Sequence, residues 1–261
     1  MVPIVLCATA GLVSSTSMSL ADQIRSYWDT DAATYDQARG HRPTSSAEMA
    51  AWATAMVRLL PPAPARVLDC GAGTGFLSLM AARLGHKVTA VDVSTGMLDK
   101  LRARAAAEGL GVEIVEGSVS VPPPGPFDAV IERHVVWTLP DPVQTLRSWR
   151  EVAPYGRLIL VEGLWGKVDP LDSAKAQLRT LLRRATRTAP DHHGSYPPDL
   201  AAQLPFANGT HPSDLVDAVA ASGWPDPWIE RLRDVEWAAN LDLSLPERLL
   251  GVSPRFVITA G

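Results

Sequence analysis

Cysteine is nearly absent. Cys7 and Cys70 are the only two, too few for a disulfide framework and without the spacing of metal ligands. There is no excess of basic residues either: 24 Lys and Arg stand against 28 Asp and Glu, a formal net charge of −4. The concentrated positive surface that nucleic-acid phosphates demand is therefore missing, a local patch aside. No apolar run is long enough to span a bilayer. The nearest, Val2 to Ala10, has no Lys or Arg before it, so Met1 to Met18 reads as a weakly ordered extension rather than an export signal, with Met18 as an alternative start. No internal repeat or low-complexity tract occurs. These gaps lead us to expect a cytoplasmic protein with neither a membrane nor a nucleic-acid partner.

What the chain does have is apolar residues, 46% of 261, enough for a sizeable core. Their rhythm gives the fold class. Ala21 to Asp36 reads as a helix that would set Tyr27 and Tyr35 two turns apart on one face, and Gly40-His41-Arg42-Pro43 stops it. A second helix runs from Ser45 to Leu60, with Ser45 or Ser46 as N-cap and Glu48 in its first turn. Strands and helices then alternate: a buried strand at Val67 and Leu68, helix Phe76 to Leu84, strand Lys87 to Asp92, helix Ser94 to Glu108, strand Val112 to Glu116, strand Phe127 to Glu132, helix Pro142 to Ala153 and strand Arg157 to Glu162. Alternation of this kind predicts an α/β fold with a doubly wound, mostly parallel sheet.

The rhythm changes after Glu162. A basic helix from Ser173 to Arg187 and a Pro- and His-containing loop to Pro198 precede a helix capped by Ser213, and Trp228 to Val235 and Arg255 to Thr259 complete the sheet as its sixth and seventh strands. We expect one domain over residues 19–261: a helical lid (19–62), a core (63–168), a helical insert and helix after strand five (169–225), and the closing strands (226–261).

The chemistry concentrates in Asp69-Cys70-Gly71-Ala72-Gly73-Thr74-Gly75 and in Asp92. A strand, a glycine loop and a helix let the backbone approach a ligand at the carboxyl edge of a sheet. A dinucleotide site spaces its glycines G-x-G-x-x-G. Here the spacing is G-x-G-x-G, and Asp69 would sit badly beside a pyrophosphate but well beside a cationic ligand. Asp92, at the end of the second strand, can accept both hydroxyls of a ribose. This combination resembles the cofactor motif of class I S-adenosylmethionine-dependent methyltransferases, over about Ala65 to Glu162. The resemblance implies S-adenosyl-L-methionine as methyl donor and S-adenosyl-L-homocysteine as product. Asp69, Gly71, Gly73, Gly75, Asp92 and Val93 would then line the donor's site. Met97 would lie against the adenine, or else be plain helix core. Glu116-Gly117-Ser118-Val119 corresponds to the family's frequent Gly-Asp-Ala, with Ser118 where the Asp would accept from the adenine amino group. That departure weakens the contact or shifts it to backbone near Ser118 and Val119.

The stretch Phe127 to Pro142, with Arg133-His134 and Trp137-Thr138-Leu139-Pro140-Asp141-Pro142, is similar to a bacterial, actinobacterial-type branch that methylates small molecules of specialised metabolism at amine nitrogens or electron-rich carbons, indole C3 among them. The N-terminal Tyr-Trp-Asp, Tyr-Asp and Gly-His residues and Pro246 to Val252 resemble the same branch. The Asn/Asp-Pro-Pro-aromatic motif of nucleic-acid amine methylases is absent. Methyl transfer depends on positioning, and a base is needed only when the acceptor must lose a proton. His134 with Tyr27 or Tyr35 would supply one; otherwise His134 is a polar strand end and the tyrosines pack the lid. Arg133 and Arg42 are candidates near the donor, with Arg42 reaching the methionyl carboxylate or merely lying on the surface. Trp137, Trp165 and Glu162 are candidates for the acceptor pocket, although Glu162 also suits a structural ion pair. His192 and His193 have no third ligand in sight, so no metal is expected. A donor-binding subunit that transfers no methyl, regulatory or a partner to another protein, is the non-enzyme alternative. Aromatics on an exposed N-terminal helix would also give the chain a means of forming a homodimer.

Overall fold

The alternating segments assemble into one sheet of seven strands in a computed structural model, which describes residues 18–38, 40–43, 45–163, 196–209 and 211–261 together with residues 174, 175, 177, 178 and 181. The strands are β1 (Arg66–Cys70), β2 (Lys87–Asp92), β3 (Val112–Glu116), β4 (Ala129–Arg133), β5 (Arg157–Gly163), β6 (Trp228–Arg231) and β7 (Arg255–Ala260). Their order is β3-β2-β1-β4-β5-β7-β6. The β1, β2, β3, β4 and β5 pairings are all parallel, and only β7 runs against its neighbours. The order reverses between β1 and β4, and a crevice opens at such a switch point outside the carboxyl ends of the strands.

Both faces of the sheet are covered, which is why β1, β4 and β5 read as continuous apolar runs. Leu68, Val130, Leu158 and Leu160 pack with Trp149, Val219 and Trp224 on one face. Val67, Ile131, Ile159 and Val161 pack with Trp52, Met56 and Leu77 on the other. Helices α2 (Ser46–Leu59), α3 (Phe76–Arg83), α4 (Thr95–Ala107), α5 (Pro142–Val152), α6 (Pro198–Ala201), α7 (Pro212–Ala221), α8 (Arg233–Leu241) and α9 (Leu245–Leu250) follow the N-terminal α1 (Leu20–Asp31). Ser45 and Ser94 cap α2 and α4 through Glu48 N and Met97 N, Ser45 as the sequence suggests. Among the described residues no helix is long and apolar enough to cross a membrane.

Several boundaries differ from expectation. Helix α1 stops at Asp31, a turn follows, and Tyr35 begins a short 3-10 turn (Tyr35–Gln37), so Tyr27 and Tyr35 do not share a helix face. Tertiary bonds win here, because Asp36 accepts from Thr74 in the glycine loop and from Arg104 of α4. Strand β4 starts at Ala129, since Phe127 N and Asp128 N bond to Val152 O and Arg66 O outside the ladder. His211, not Ser213, caps α7, its ring accepting from Ser213 N. Pro198 starts α6 instead of ending a loop. The sixth strand ends at Arg231, and Val235 belongs to α8, where the Arg231 guanidinium bonds Glu236 one helical turn on. The aromatics of α1 make contacts within their own chain: Tyr27 and Trp28, both half-buried, meet Tyr196 with centroids 4.4 and 6.2 Å away. Most of the Ser173 to Arg187 helix and the His192–His193 loop lies outside the described residues.

Candidate active site

The glycine loop is shaped by three left-handed residues, Gly71 (φ 70°), Gly73 (φ 53°) and Gly75 (φ 89°). A side chain at Gly71 would come within 2.3 Å of Val135, and one at Gly75 within 2.2 Å of Leu101, so these two glycines serve close packing. Gly73 differs: nothing lies within 4 Å of the place its Cβ would take. That open side faces a cavity of about 360 Å³, whose lining includes Gly71, Gly73, Asp92, Val93, Met97, Ser118 and Val119. Asp92 holds the loop from the end of β2, its two oxygens accepting from Gly73 N at 2.8 Å and Ser94 N at 2.9 Å. Burial raises its pKa against the pull of those N–H groups.

Asp69 lies behind this loop. It is 2% exposed, accepts from the Ser78 hydroxyl at 2.5 Å, and does not line the cavity. Burial pushes its carboxyl up to about 7. Its part is to bind the end of β1 to α3, which sets the angle at which the loop leaves the strand.

The opposite wall comes from the N-terminal segment. Leu20, Ala21, Ile24, Arg25 and Trp28 of α1, together with Tyr35, face the glycine loop across the cavity. Two carboxylates clip this segment down. Asp29 accepts from Ser94 Oγ at 2.6 Å and Gly96 N at 3.2 Å, and Asp36 accepts from Thr74 Oγ1 at 2.8 Å. Arg133, at the end of β4, adds a third tie by donating to His41 O at 3.0 Å and to Gly40 O. Its guanidinium lies over the Phe76 ring, 4.6 Å from the centroid. Of the α1 residues, the sequence offered only Tyr27 as a site residue. Their signal is the Asp in each of Tyr-Trp-Asp and Tyr-Asp, whose partners are far along the chain.

The chain leaves β4 through His134, which adopts φ 59°. A left-handed non-glycine residue is uncommon and marks a position held by its surroundings. His134 lines the cavity with Val135, Thr138, Leu139 and Pro140. Its Nδ1 lies 3.1 Å from Glu162 Oε2 at the end of β5. Glu162 is 3% exposed and faces His134 instead of the cavity. Behind both sits Glu132, fully buried, accepting from Val135 N at 2.8 Å.

The remaining candidates scatter. Tyr35 lines the cavity, stacks on His41 at 3.9 Å, and has its hydroxyl pushed up to about 12, chiefly by burial. Tyr27 does not line it; its ring packs edge-on to Trp28 and Tyr196, and burial raises its pKa. Trp137 belongs to the same aromatic cluster, 5.0 Å from Tyr196 and 5.9 Å from Trp28. Tyr196, buried beside Leu200 and Leu204, was not read from the sequence, where a tyrosine ahead of two prolines carries no periodic signal. Arg42 is exposed, contributes to the field at Glu108, and does not line the cavity. Trp165, like His192 and His193, lies outside the described residues.

Residues 67–156 match the family described as "Methyltransferase domain". Among curated proteins, the chain is 35% identical over 127 residues to a ubiquinone biosynthesis O-methyltransferase of Caulobacter sp. (strain K31), covering 45% of this chain and 48% of that one. It is 34% identical over 100 residues to a protein-L-isoaspartate O-methyltransferase of Methylorubrum extorquens (strain PA1), covering 38% and 42%. The chain thus spans about half the length of the curated relatives it matches. Among solved structures, geranyl diphosphate C-methyltransferase from Streptomyces coelicolor A3(2), in complex with Mg2+, geranyl diphosphate and S-adenosyl-L-homocysteine, aligns with TM-score 0.60 at 16% identity over 94% of this chain and 98% of that one. The CcbJ methyltransferase from Streptomyces caelestis aligns with TM-score 0.57 at 21% identity over 91% and 98%. The chain has the fold of these class I methyltransferases, and its residues 67–156 match a methyltransferase domain.

Proposed function

We propose that this protein is an S-adenosylmethionine-dependent methyltransferase acting on a small-molecule acceptor of specialised metabolism, in the cytoplasm. The observation that carries the reading is the open cradle at Gly73. Backbone approaches the cavity there without a side chain, Asp92 stands at its rim, and Met97, Ser118 and Val119 continue the wall. This donor set fits the cofactor: a carboxylate for ribose hydroxyls, an apolar residue for the adenine, and polar groups at Ser118 for its edge. Arg133 and Tyr35, which also line the cavity, are the candidates for the methionyl group. When bound, the cofactor supplies an electrophilic methyl group on a sulfonium. The N-terminal segment acts as a lid, excluding water above the transfer site and holding the reactants in line.

The finer reading is methylation of an electron-rich carbon such as indole C3, with His134 taking the proton that such an acceptor must lose. The left-handed His134, backed by a buried carboxylate, supports it, as does the resemblance of Phe127 to Pro142 to the small-molecule branch. Tyr35 is the tyrosine positioned to assist from the cavity wall, while Tyr27, Trp28, Trp137 and Tyr196 form an aromatic cluster beside the lid. Trp28, the member of that cluster that lines the cavity, equally favours a second reading, N-methylation of an amine held by cation–π attraction. Incubating the protein with methyl-labelled cofactor and a panel of indoles and amines tests all of this. Label in a C3-methylindole supports the first reading, label in an amine the second, and no transfer to any acceptor despite cofactor binding leaves the donor-binding regulatory subunit.

A further inference from the structure

We propose that Glu132 and Glu162 share one proton behind His134 and thereby fix Nε2 as its basic nitrogen, with Glu132 neutral and Glu162 anionic. Its catalytic use rests on the methyltransferase reading; the arrangement itself is a property of this chain alone.

The sheet register brings the two carboxyls together. Glu132 pairs with Leu160, so Glu162, two residues further along β5, projects on the same face of the sheet. Both are buried, at 0% and 3% exposure. One oxygen of each is engaged, Glu132 Oε2 by Val135 N at 2.8 Å and Glu162 Oε2 by His134 Nδ1 at 3.1 Å. The other oxygen of each, Oε1, is buried with no hydrogen-bond partner. Two dehydrated, adjacent carboxylates with orphan lone pairs cannot both stay charged, and a single proton between them satisfies both.

The neighbours decide which one keeps it. Glu132 faces the charges of Glu162 and of Asp69 on β1, both of which oppose its ionisation, on top of its burial. Glu162 is also raised, to about 8, chiefly by burial, but the N–H groups of Gly163 and Val136 and then the Arg133 guanidinium favour its anion. Arg133 is itself set among Tyr35, Glu48 and Arg255. Glu162 also has the His134 ring 3.1 Å from its Oε2, a partner that Glu132 lacks, so we assign the proton to Glu132 and the charge to Glu162. An anionic Glu162 accepts a hydrogen from His134 Nδ1, and a neutral imidazole protonated there carries its lone pair on Nε2. The ring is packed against Gly163, whose Cβ, if present, would lie 3.4 Å from His134 Cε1. When Nε2 takes a proton from an acceptor, the new imidazolium already faces its counter-charge, and no buried group needs to reorganise. Glu162 and Glu132 are thus positioning residues and His134 the catalytic one.

The test needs neither cofactor nor acceptor. Nitrogen-15 NMR of the histidines, with His134 assigned by His134→Gln, reads its tautomer and titration midpoint in the full chain. We expect the Nδ1–H tautomer in the unaltered protein. Glu162→Gln should lower the midpoint by about one pH unit or more, a tenfold loss of proton affinity, whereas Glu132→Gln, which mimics the neutral acid, should leave it nearly in place. Infrared difference spectra at neutral pH supply a second readout if Glu162→Gln fails to fold: Glu132→Gln should remove a protonated-carboxyl band. An Nε2–H tautomer, a midpoint moved by Glu132→Gln and not by Glu162→Gln, or no band lost would overturn the proposal. Failure to bind S-adenosylhomocysteine would instead sink the methyltransferase reading and leave these results standing.

Discussion

Two parts of the cavity are built on different principles. At the glycine loop, backbone does the work: left-handed glycines at 71, 73 and 75, with Asp92 accepting from Gly73 N and Ser94 N, all within one strand-loop-helix unit and its neighbour. Elsewhere around the cavity, side chains from distant segments meet. His134 follows β4 with Glu162 behind it at the end of β5, and Trp28 comes from α1, backed outside the cavity by Tyr27 and by Tyr196, which precedes α6. The first part is a rigid frame whose geometry follows from local sequence. The second is an assembly of aromatic rings and buried acids whose composition can change without disturbing the frame. A fold built this way can keep its donor and change its acceptor.

Substitutions in each part should separate the two. The largest effect belongs to the acceptor part: with an indole acceptor, His134→Ala should lower turnover by about 10²–10⁴-fold, the usual worth of a positioned base, while S-adenosylhomocysteine affinity, measured by calorimetry, stays within about twofold. If the loss falls on cofactor affinity instead, the division between the parts is misplaced. At the glycine loop, Asp92→Ala removes the acceptor for two loop N–H groups and, on the proposed reading, for the ribose, and should weaken S-adenosylhomocysteine by about 100-fold or more, the loss of roughly 3 kcal/mol.

Loosening the lid is expected to cost less. Asp36→Ala breaks the bonds to Thr74 and Arg104 and should weaken the same ligand by about threefold to tenfold, as expected for one or two part-buried bonds. Tyr27→Phe, which keeps the ring packing outside the cavity, should change turnover by no more than about threefold. A larger loss would give Tyr27 a direct part in the chemistry.

Stability offers a further test of the frame. Asp69 is raised from its ordinary 3.8 to about 7 by burial, so the folded state favours its protonated form. Its contribution to stability is complete below the unfolded value and is lost as pH rises through about 7. Thermal melts of the ligand-free protein should therefore fall between about pH 4 and pH 8, and Asp69→Asn should flatten that slope. An unchanged slope would mean that the Asp69–Ser78 contact leaves the carboxylate well solvated.

These differences also explain what could be read from the sequence. The sheet through β5, the cap Ser45, and the cavity positions Gly71, Gly73, Asp92, Val93, Met97, Ser118 and Val119 were legible because each is dictated by neighbours a few residues away. Asp69 was visible as a motif position, but its partner Ser78 and its place behind the loop were not. Glu132 looked like an ordinary strand end, and only the β4–β5 register sets it beside Glu162. That Leu20, Ala21, Ile24, Arg25 and Trp28 line the cavity could not be read, because this segment is held by Asp29 and Asp36 reaching across the chain, tertiary bonds with no periodic trace. The same bonds stop α1 early and part Tyr27 from Tyr35.

The central claim is that the cradle around Gly73 holds a sulfonium cofactor and not a dinucleotide. Calorimetric titration of the full chain with S-adenosylhomocysteine, and in parallel with NAD, tests it most directly. We predict saturable one-to-one binding of S-adenosylhomocysteine that Asp92→Ala removes, and no heat with NAD. Binding of NAD, or no binding of S-adenosylhomocysteine by the unaltered chain, would contradict it.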